Sequence, residues 1–243
     1  MEPAVKSKTA IVTGAAGSLG SALSGQLVRS GWNVVLLDNN RKGLEEVYDQ
    51  LTGGEGGEAV LHPFDLAGAN PELIDNLLAA VESELGGLDA LVHCAARFQN
   101  LAPSETIPPD DWLEGMQVNL NAPWLLSGLA LPLLRQSESG KIVFLLEDLE
   151  KVGGSLWGYY GVAKHALRAL AGQLANECRT SGVAVKGIDP GPMRSPIRTR
   201  VYYSENPADM PTAETAALRI SAYLSGEEAW EEDFISLWKP EAR

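Results

Sequence analysis

Basic residues and cysteines are both scarce in this sequence. Its 243 residues include 19 Lys and Arg against 32 Asp and Glu, which gives a formal net charge of −13. Nucleic acids and anionic membranes select for Lys and Arg, so we expect a binding surface for neither. Cys94 and Cys178 lie far apart and form no C-x-x-C or Cys/His ligand pattern. We therefore expect reduced thiols in a cytoplasmic protein, and no metal site.

Long hydrophobic runs are missing as well. The N-terminal sequence MEPAVKSKTAIVTG has no apolar stretch of the kind found in signal peptides. The most apolar long stretch runs from Leu120 to Leu134, but polar residues and two prolines interrupt it. Because a bilayer needs about 20 consecutive apolar residues, this stretch predicts a core helix, and no membrane segment is expected.

Short β-branched segments alternate with longer helical segments along the chain. The predicted strands are Ala10–Gly14, Asn33–Asp38, 59–64, 90–95, 141–146 and Val183–Asp189, with a further edge strand at Phe234–Trp238. The predicted helices are Gly17–Arg29, Arg41–Leu51, Pro71 to about Leu85, Leu113–Leu134 and one that carries Lys164 to about Arg179. Strands that are apolar on both faces and alternate with helices predict one parallel sheet covered on both sides. No linker breaks the pattern, so residues 1–243 are interpreted as a single α/β domain.

A glycine-rich turn, TGAAGSLG at residues 13–20, joins the first strand to the first helix. Gly14 permits a tight turn, Gly17 lets the backbone approach a ligand, and Gly20 lets helix and strand pack closely. The N–H groups and positive dipole end of the helix then suit a pyrophosphate. Strand, turn and helix in this order predict dinucleotide binding by a Rossmann-type, doubly wound sheet.

Asp38 ends the second strand, 18 positions after Gly20. A carboxylate at this place can bind both ribose hydroxyls and would repel the 2′-phosphate of NADP. Asn39 follows it, and Arg41 is the nearby cation that could bind that phosphate. NAD is therefore preferred over NADP, and the structural alternative is a solvated aspartate at a strand end.

Tyr160 and Lys164 are four residues apart in a predicted helix, which places them on one face. An ammonium near a phenol favours the phenolate and lowers its pKa from about 10. Such a phenol can give a proton to a developing alkoxide, or take one from an alcohol. The alternative is an ordinary pair of helix-surface residues.

With these features and a later Asp-Pro-Gly turn, the chain resembles the short-chain dehydrogenase/reductase family from Thr9 to about Leu224. The matching motifs are T-G-x-x-x-G-x-G at 13–20, Asp65-Leu66, Asn119, Y-x-x-x-K at Tyr160 and Lys164, and Pro190-Gly191 with Ser195. The resemblance implies hydride transfer between a nicotinamide cofactor and an alcohol or carbonyl substrate. It implies the catalytic residues Tyr160, Lys164 and Asn119, with Glu147 as a fourth candidate. The cofactor-binding residues it implies are Gly14, Ala16, Gly17, Ser18, Leu19, Gly20, Asp38, Asp65, Leu66, Cys94, Ala95, Ala96, Tyr160, Lys164, Pro190, Gly191, Met193 and Ser195.

Two positions depart from the family pattern. His93-Cys94-Ala95-Ala96 stands where the family has N-N-A-G, which we interpret as tolerated, with His93 as a packing residue. Glu147 stands thirteen residues before Tyr160, where the family has a serine, and the nearest hydroxyl is on Ser155. An ionised Glu147 beside Tyr160 would oppose the phenolate.

Three arrangements of Glu147 are open. The side chain could be protonated and donate a hydrogen bond in a desolvated site. It could be ionised, and either select a cationic substrate or act as a base. It could also point to solvent or to a cation, leaving a weak or inactive enzyme that still binds the cofactor. The main prediction is an NAD(H)-dependent oxidoreductase with Tyr160 as acid/base, and the alternative is a catalytically degraded dinucleotide-binding sensor or partner protein.

The sequence gives weaker signals for the substrate loop and for the oligomeric state. The loop at about 190–212 contains three arginines and two tyrosines: Arg194, Arg198, Arg200, Tyr202 and Tyr203. They could bind an acidic substrate or lie solvated on the surface. The helices at Leu113–Leu134 and Trp157–Arg179 are apolar over more than one stripe, which predicts a homodimer or homotetramer, with a deep monomeric core as the alternative.

Overall fold

A seven-stranded parallel sheet lies at the centre of the computed structural model, which describes residues 7–54 and 56–238. In chain order the strands are β1 (Thr9–Thr13), β2 (Asn33–Asp38), β3 (Ala59–Pro63), β4 (Ala90–His93), β5 (Lys141–Leu145), β6 (Ala184–Asp189) and β7 (Phe234–Ser236). Their spatial order is β3-β2-β1-β4-β5-β6-β7, and every neighbouring pair is parallel. The predicted single-domain α/β fold of the Rossmann type is confirmed.

Nine α-helices surround the sheet within the described ranges. They are α1 (Ser18–Arg29), α2 (Arg41–Leu51), α3 (Pro71–Leu85), α4 (Pro109–Met116), α5 (Ala122–Leu134), α6 (Leu149–Val152), α7 (Gly158–Cys178), α8 (Pro196–Val201) and α9 (Ala213–Ser225). Residues of α3, α5 and α7 share one apolar cluster with one face of the sheet, and residues of α1, α2 and α9 share another with the opposite face. The sheet is therefore covered on both sides, as a parallel sheet requires.

The alternation of side chains in β1 shows how the sequence specifies these two layers. All five residues of β1 are buried. Ile11 belongs to the cluster with α3, α5 and α7, whereas Ala10 and Val12 belong to the cluster with α1, α2 and α9. Successive strand residues point to opposite faces, so a strand between two helical layers has no polar face.

The long apolar segment after β4 is one helical unit with a local change of geometry. It begins at Pro109, earlier than predicted, and residues Gln117–Asn121 form a π-helical turn between α4 and α5. Pro123 follows this turn and has no N–H to donate to the carbonyl four residues earlier, that of Asn119. This missing donor gives a physical reason for the π-helical turn. Asn119 lies in that turn, and its side chain bonds to the backbone of Arg97 in the loop after β4.

The chain after β6 contains elements that the sequence pattern did not predict. Helix α9 begins after Thr212 and ends at Gly226, whose φ of 87° is the left-handed conformation typical of a helix C-terminus. The predicted edge strand is confirmed as β7, although it is three residues long and ends before Trp238. The N-terminal segment used to argue against a signal peptide begins with residues 1–6, which lie outside the described residues.

Neither a membrane span nor a metal cluster occurs in the described parts of the chain. No helix within 7–54 and 56–238 is long and apolar enough to cross a bilayer. The same residues contain no group of three His, Cys, Asp or Glu side chains placed to hold a metal ion.

Candidate active site

A cleft of about 890 Å³ lies along the carboxyl ends of the strands. This is the edge at which open α/β sheets bind ligands. All eighteen residues named above as candidate cofactor-binding residues line it, from the glycine-rich turn after β1 to Ser195 before α8. Glu147 lines it as well, and Asn119 is not among the lining residues that the structure describes. The fold therefore brings one predicted set of residues to one continuous surface.

The glycine-rich turn leaves the start of α1 open to a ligand. Asn40 caps α2 by accepting from the Gly43 N–H at 3.1 Å, and Asn70 caps α3 by accepting from the Leu73 N–H at 3.0 Å. By contrast, no side chain of the described residues caps α1, which begins after Gly17. The first N–H groups of a helix need a partner, and a phosphate supplies one. The donor set at this turn thus fits the pyrophosphate of a dinucleotide.

Gly14 allows the turn to pack closely against the loop after β4. Its φ is 66°, and a Cβ at this position would lie 2.6 Å from the Cα of Ala95. The Ala95 N–H also donates to Thr13 Oγ1 at 3.2 Å. The Ala95-Ala96 pair therefore permits the expected close approach of the two backbones, because its side chains are too small to hold the glycine-rich turn away.

Asp38 is held in a fixed position at the end of β2, where it lines the cleft. Its Oδ2 accepts from the Ala16 N–H at 3.0 Å, and its Oδ1 accepts from the Asn40 N–H at 2.9 Å. Arg41 does not line the described part of the cleft; its Nε is 2.9 Å from Glu45 Oε1, and its side chain is 75% exposed. The Asp38 carboxylate is therefore anchored by two backbone N–H groups, and the nearby Arg41 is paired with Glu45.

Tyr160 and Glu147 form a direct hydrogen bond. Tyr160 lies on α7, is 1% exposed, and donates its O–H to Glu147 Oε1 at 2.6 Å. Burial raises the pKa of the Tyr160 phenol well above its ordinary value, and the charge of Glu147 and this hydrogen bond raise that pKa further. The Glu147 side chain therefore points to the Tyr160 oxygen and not to solvent or to a cation, and a weak or inactive site stays a prediction.

Lys164 lies on the same face of α7 as Tyr160 but bonds to the sheet. Its Nζ donates to the Leu145 carbonyl at 2.7 Å and lies 5.5 Å from the centre of the Tyr160 ring. Burial lowers the pKa of Lys164, and the negative charge of Glu147 acts in the opposite direction. Among the ion pairs of the described residues, none includes Glu147 or Lys164. The phenol is consequently the direct partner of the Glu147 carboxylate.

Asn119 is buried beside the cleft and holds the loop that follows β4. Its Oδ1 accepts from the Arg97 N–H at 2.7 Å, and its Nδ2 donates to the Arg97 carbonyl at 2.8 Å. Arg97 itself lines the cleft, and its guanidinium lies 2.9 Å from Glu114. In the structure the Asn119 side chain thus positions a wall of the cleft, and its catalytic role stays a prediction.

His93, the last residue of β4, and Cys94, which follows it, are both uncharged. His93 is buried, its ring stacks on Phe144 with centroids 4.8 Å apart, and its Nε2 lies 2.8 Å from Ser127 Oγ. Burial lowers the pKa of His93 to about 3, so it is the packing residue that we expected. Cys94 lines the cleft, and burial raises its pKa to about 12, with Lys164 opposing the shift.

The arginines of the substrate loop make contacts within the protein. Arg198 forms two bonds to Glu205, at 2.7 and 2.8 Å, and Arg200 donates to the Phe98 carbonyl at 2.9 Å. Arg194 donates to the Pro207 carbonyl at 2.9 Å. Arg198 and Arg200 line the cleft, but these bonds stabilise the loop that contains them.

Several cleft residues were missed by reasoning from the sequence. Phe98 and Trp157 pack against the Tyr160 ring, with centroids 5.2 and 5.8 Å away. Lys151, on α6, reaches the Tyr202 ring at 4.8 Å, and Trp238 lines the cleft from the segment after β7. Trp157 stands three residues before Tyr160, so helical spacing could have identified it, whereas Trp238 gave no such signal.

Comparisons with curated proteins identify oxidoreductases. The uncharacterized oxidoreductase YciK of Escherichia coli is 29% identical over 202 residues, which are 83% of this chain and 80% of that protein. The D-beta-hydroxybutyrate dehydrogenase of Rhizobium meliloti is 29% identical over 191 residues, or 78% of this chain and 73% of that protein.

Solved structures give the same result. A protein from Pseudomonas syringae assigned to the short-chain dehydrogenases has a TM-score of 0.83 and 32% identity, and the match covers 90% of each chain. A similarly assigned protein from Shigella flexneri, solved with NADP, has a TM-score of 0.84 and 26% identity over 89% of this chain and 90% of that one. The short chain dehydrogenase family itself matches residues 8–206. This chain belongs to the short-chain dehydrogenase family.

Proposed function

We propose that this protein is an NAD(H)-dependent oxidoreductase that interconverts an alcohol and a carbonyl compound, with Tyr160 as the acid/base. The observation that supports it best is one cleft that joins the uncapped start of α1 to Tyr160 and Lys164. The first turn of α1 would hold the pyrophosphate and Asp38 the adenosine ribose. When bound, the cofactor supplies or accepts the hydride.

The residues of this chain supply the proton transfer and the shape of the site. The Tyr160 oxygen is the group in the buried wall that can exchange a proton with a substrate oxygen. Lys164 is fixed by the Leu145 carbonyl and places a positive charge beneath the Tyr160 ring. Phe98 and Trp157 close the wall around the phenol and reduce the access of water.

Asp38 is the basis for preferring NAD over NADP. Its two backbone bonds keep the carboxylate where a 2′-phosphate would meet a negative charge, and Arg41 is already paired with Glu45. The solved Shigella flexneri relative was bound to NADP, so relatives of this fold accept that cofactor. Titration of NADH and NADPH, followed by cofactor fluorescence, tests the preference. We expect tighter NADH binding, and equal or tighter NADPH binding would contradict it.

A panel of alcohols and carbonyls tests the activity. D-3-Hydroxybutyrate is a reasonable first compound, because a relative is named as its dehydrogenase. We expect NAD-dependent turnover of at least one alcohol, and loss of that turnover in Tyr160→Phe. Turnover that survives this substitution would remove Tyr160 from the reaction.

A second candidate function is a dinucleotide-binding sensor or partner protein with suppressed catalysis. The Tyr160–Glu147 hydrogen bond favours it, since this contact and burial both oppose formation of the phenolate. It predicts saturable NADH binding without turnover across the panel, and activity that emerges in Glu147→Ser.

A further inference from the structure

Glu147 reaches the Tyr160 oxygen from the cleft. The distance of 2.6 Å between the phenol oxygen and Glu147 Oε1 is short, as expected for an O–H donating to a carboxylate. Glu147 is half-buried and lines the cleft, whereas Tyr160 is nearly enclosed. A phenol oxygen that donates one hydrogen bond still has lone pairs free to accept another. The Tyr160 oxygen can therefore accept a bond from a substrate hydroxyl while it donates to Glu147.

An isolated tyrosine base is unfavourable in this environment. Even at the reference pKa of about 10, fewer than about one phenol in 10³ is ionised at pH 7. Burial and Glu147 raise the pKa of Tyr160 above that value. A mechanism that starts from the phenolate would therefore use only the very small fraction of molecules in which Tyr160 is ionised. If a second group accepts the Tyr160 proton during the reaction, Tyr160 does not have to be ionised beforehand.

We propose that Glu147 is the terminal proton acceptor of the site and that Tyr160 relays the proton to it. This inference rests on the proposed oxidoreductase function. As the alcohol is oxidised, its O–H bond breaks and that proton bonds to the Tyr160 oxygen. At the same time the original Tyr160 O–H bond breaks, and its proton bonds to Glu147 Oε1. The electron pair of the carbinol C–H bond leaves as hydride to an oxidised nicotinamide dinucleotide. Tyr160 begins and ends as a neutral phenol.

The state of Glu147 sets the direction of the relay. An ionised carboxylate accepts the proton and supports alcohol oxidation, and a protonated one returns it and supports carbonyl reduction. Besides Glu147 and Tyr160, the charged and titratable groups that line the described cleft are Asp38, Asp65, Cys94, Arg97, Glu114, Asp148, Lys151, Lys164, Asp189, Arg198, Arg200 and Tyr202. These groups are the same in the wild type and in every variant at position 147, so a difference in pH profile between the variants is assigned to residue 147.

The experiment compares Glu147→Gln, Glu147→Asp and Glu150→Gln in the full chain. Glutamine keeps an oxygen that accepts from Tyr160 but cannot take the proton, and aspartate restores a carboxylate. Glu150 is exposed on α6, three residues away, and provides the same charge change outside the cleft. The measurements are kcat for the alcohol with the highest wild-type turnover across pH, and the same rate in H2O–D2O mixtures. NADH affinity and thermal unfolding report whether each variant is folded.

We expect Glu147→Gln to lower kcat by about 10²-fold, as for loss of a general base. Glu147→Asp recovers part of the rate, and Glu150→Gln matches the wild type. The pH profile of kcat differs between the wild type and Glu147→Gln, because only the wild type has a carboxylate that can take the proton. The dependence on deuterium fraction is bowed in the wild type, because two protons move, and linear in Glu147→Gln.

Two outcomes overturn the relay and separate it from the proposed function. If Tyr160→Phe abolishes turnover but Glu147→Gln keeps the wild-type kcat and pH profile, the relay alone is wrong. If the wild type oxidises no alcohol, while Glu147→Ser does, the relay and the proposed function are both wrong.

Discussion

Asn119 offers a quantitative test of how the cleft wall after β4 is held. The side chain is 2% exposed and makes two hydrogen bonds to the backbone of Arg97, at 2.7 and 2.8 Å. Asn119→Ala leaves that N–H and that carbonyl without their partners. Each unpaired group costs about 1–3 kcal/mol when buried, and because Arg97 is half-buried we take about 1–2 kcal/mol for each.

The expected loss in the free energy of unfolding is therefore about 2–4 kcal/mol. For a chain of this size, 1 kcal/mol shifts Tm by about 2–4 °C, which gives a decrease of about 4–16 °C. Urea denaturation measures the free energy and scanning calorimetry measures Tm. Asn119→Asp refines the test, because it keeps the acceptor for the Arg97 N–H but places a carboxylate oxygen against the Arg97 carbonyl.

Asn121→Ala is the matched control. Asn121 is exposed, and its side chain bonds only weakly, to Gln117 at 3.2 Å, so we expect a change within about 0.5 kcal/mol. The reasoning is refuted if Asn119→Ala also stays within that margin. A loss of stability without weaker NADH binding would show that the Arg97 loop does not shape the cofactor part of the cleft.

Three further predictions concern acid stability, thiol reactivity and assembly. The folded pKa of His93 is about 3 against an ordinary 6.5, so the unfolded chain binds an extra proton between these values. Well below pH 6.5 stability then falls by about 1.4 kcal/mol per pH unit, and urea denaturation at pH 6.5 and 4.5 should show His93→Gln losing about 2.3 kcal/mol less than the wild type, since the unfolded histidine is already half protonated at pH 6.5. With its pKa at about 12, Cys94 should react with iodoacetamide at pH 8 about 10³-fold more slowly than an unperturbed thiol, and mass spectrometry showing rapid labelling would contradict this. Trp124 is 58% exposed on α5, so if the expected homodimer or homotetramer forms through α5 and α7, Trp124→Glu should lower the sedimenting mass, and an unchanged mass would exclude that face.

The sequence predicted the sheet and the cleft lining well, because both depend on local patterns. Apolar strands alternating with helices require a covered parallel sheet, and the glycine spacing at 13–20 places a turn after β1. Helix bounds were less accurate where backbone chemistry intervened, as at the π-helical turn before Pro123. Counting thirteen residues back from Tyr160 placed Glu147 at the position of the family's serine. The direction of the Glu147 side chain depends on tertiary packing, so only the structure could show it.

In the loop that follows β6, the partners of the side chains could not be predicted from the sequence either. Arginines in a loop look available for a substrate, yet Arg198 pairs with Glu205, seven residues later, and Arg200 reaches Phe98 across the cleft. Neither partner could be read from spacing. The aromatic residues around Tyr160 come from separate loops, which only the folded chain brings together.

Trp238, in the segment after β7, forms part of the cleft wall. Gly191 has a φ of 77°, and a Cβ on it would lie 2.5 Å from the Cβ of Trp238, so the close approach of this segment requires glycine at position 191. The bond from the Leu237 N–H to the Asp189 carbonyl, 2.8 Å long, fixes the segment that carries the indole. The family match ends at residue 206, before α9 and β7 and therefore before this contact. Two relatives with identical cores can therefore differ in one wall of the cleft, so transfer of substrate preference between them has to compare their tails as well as their motifs.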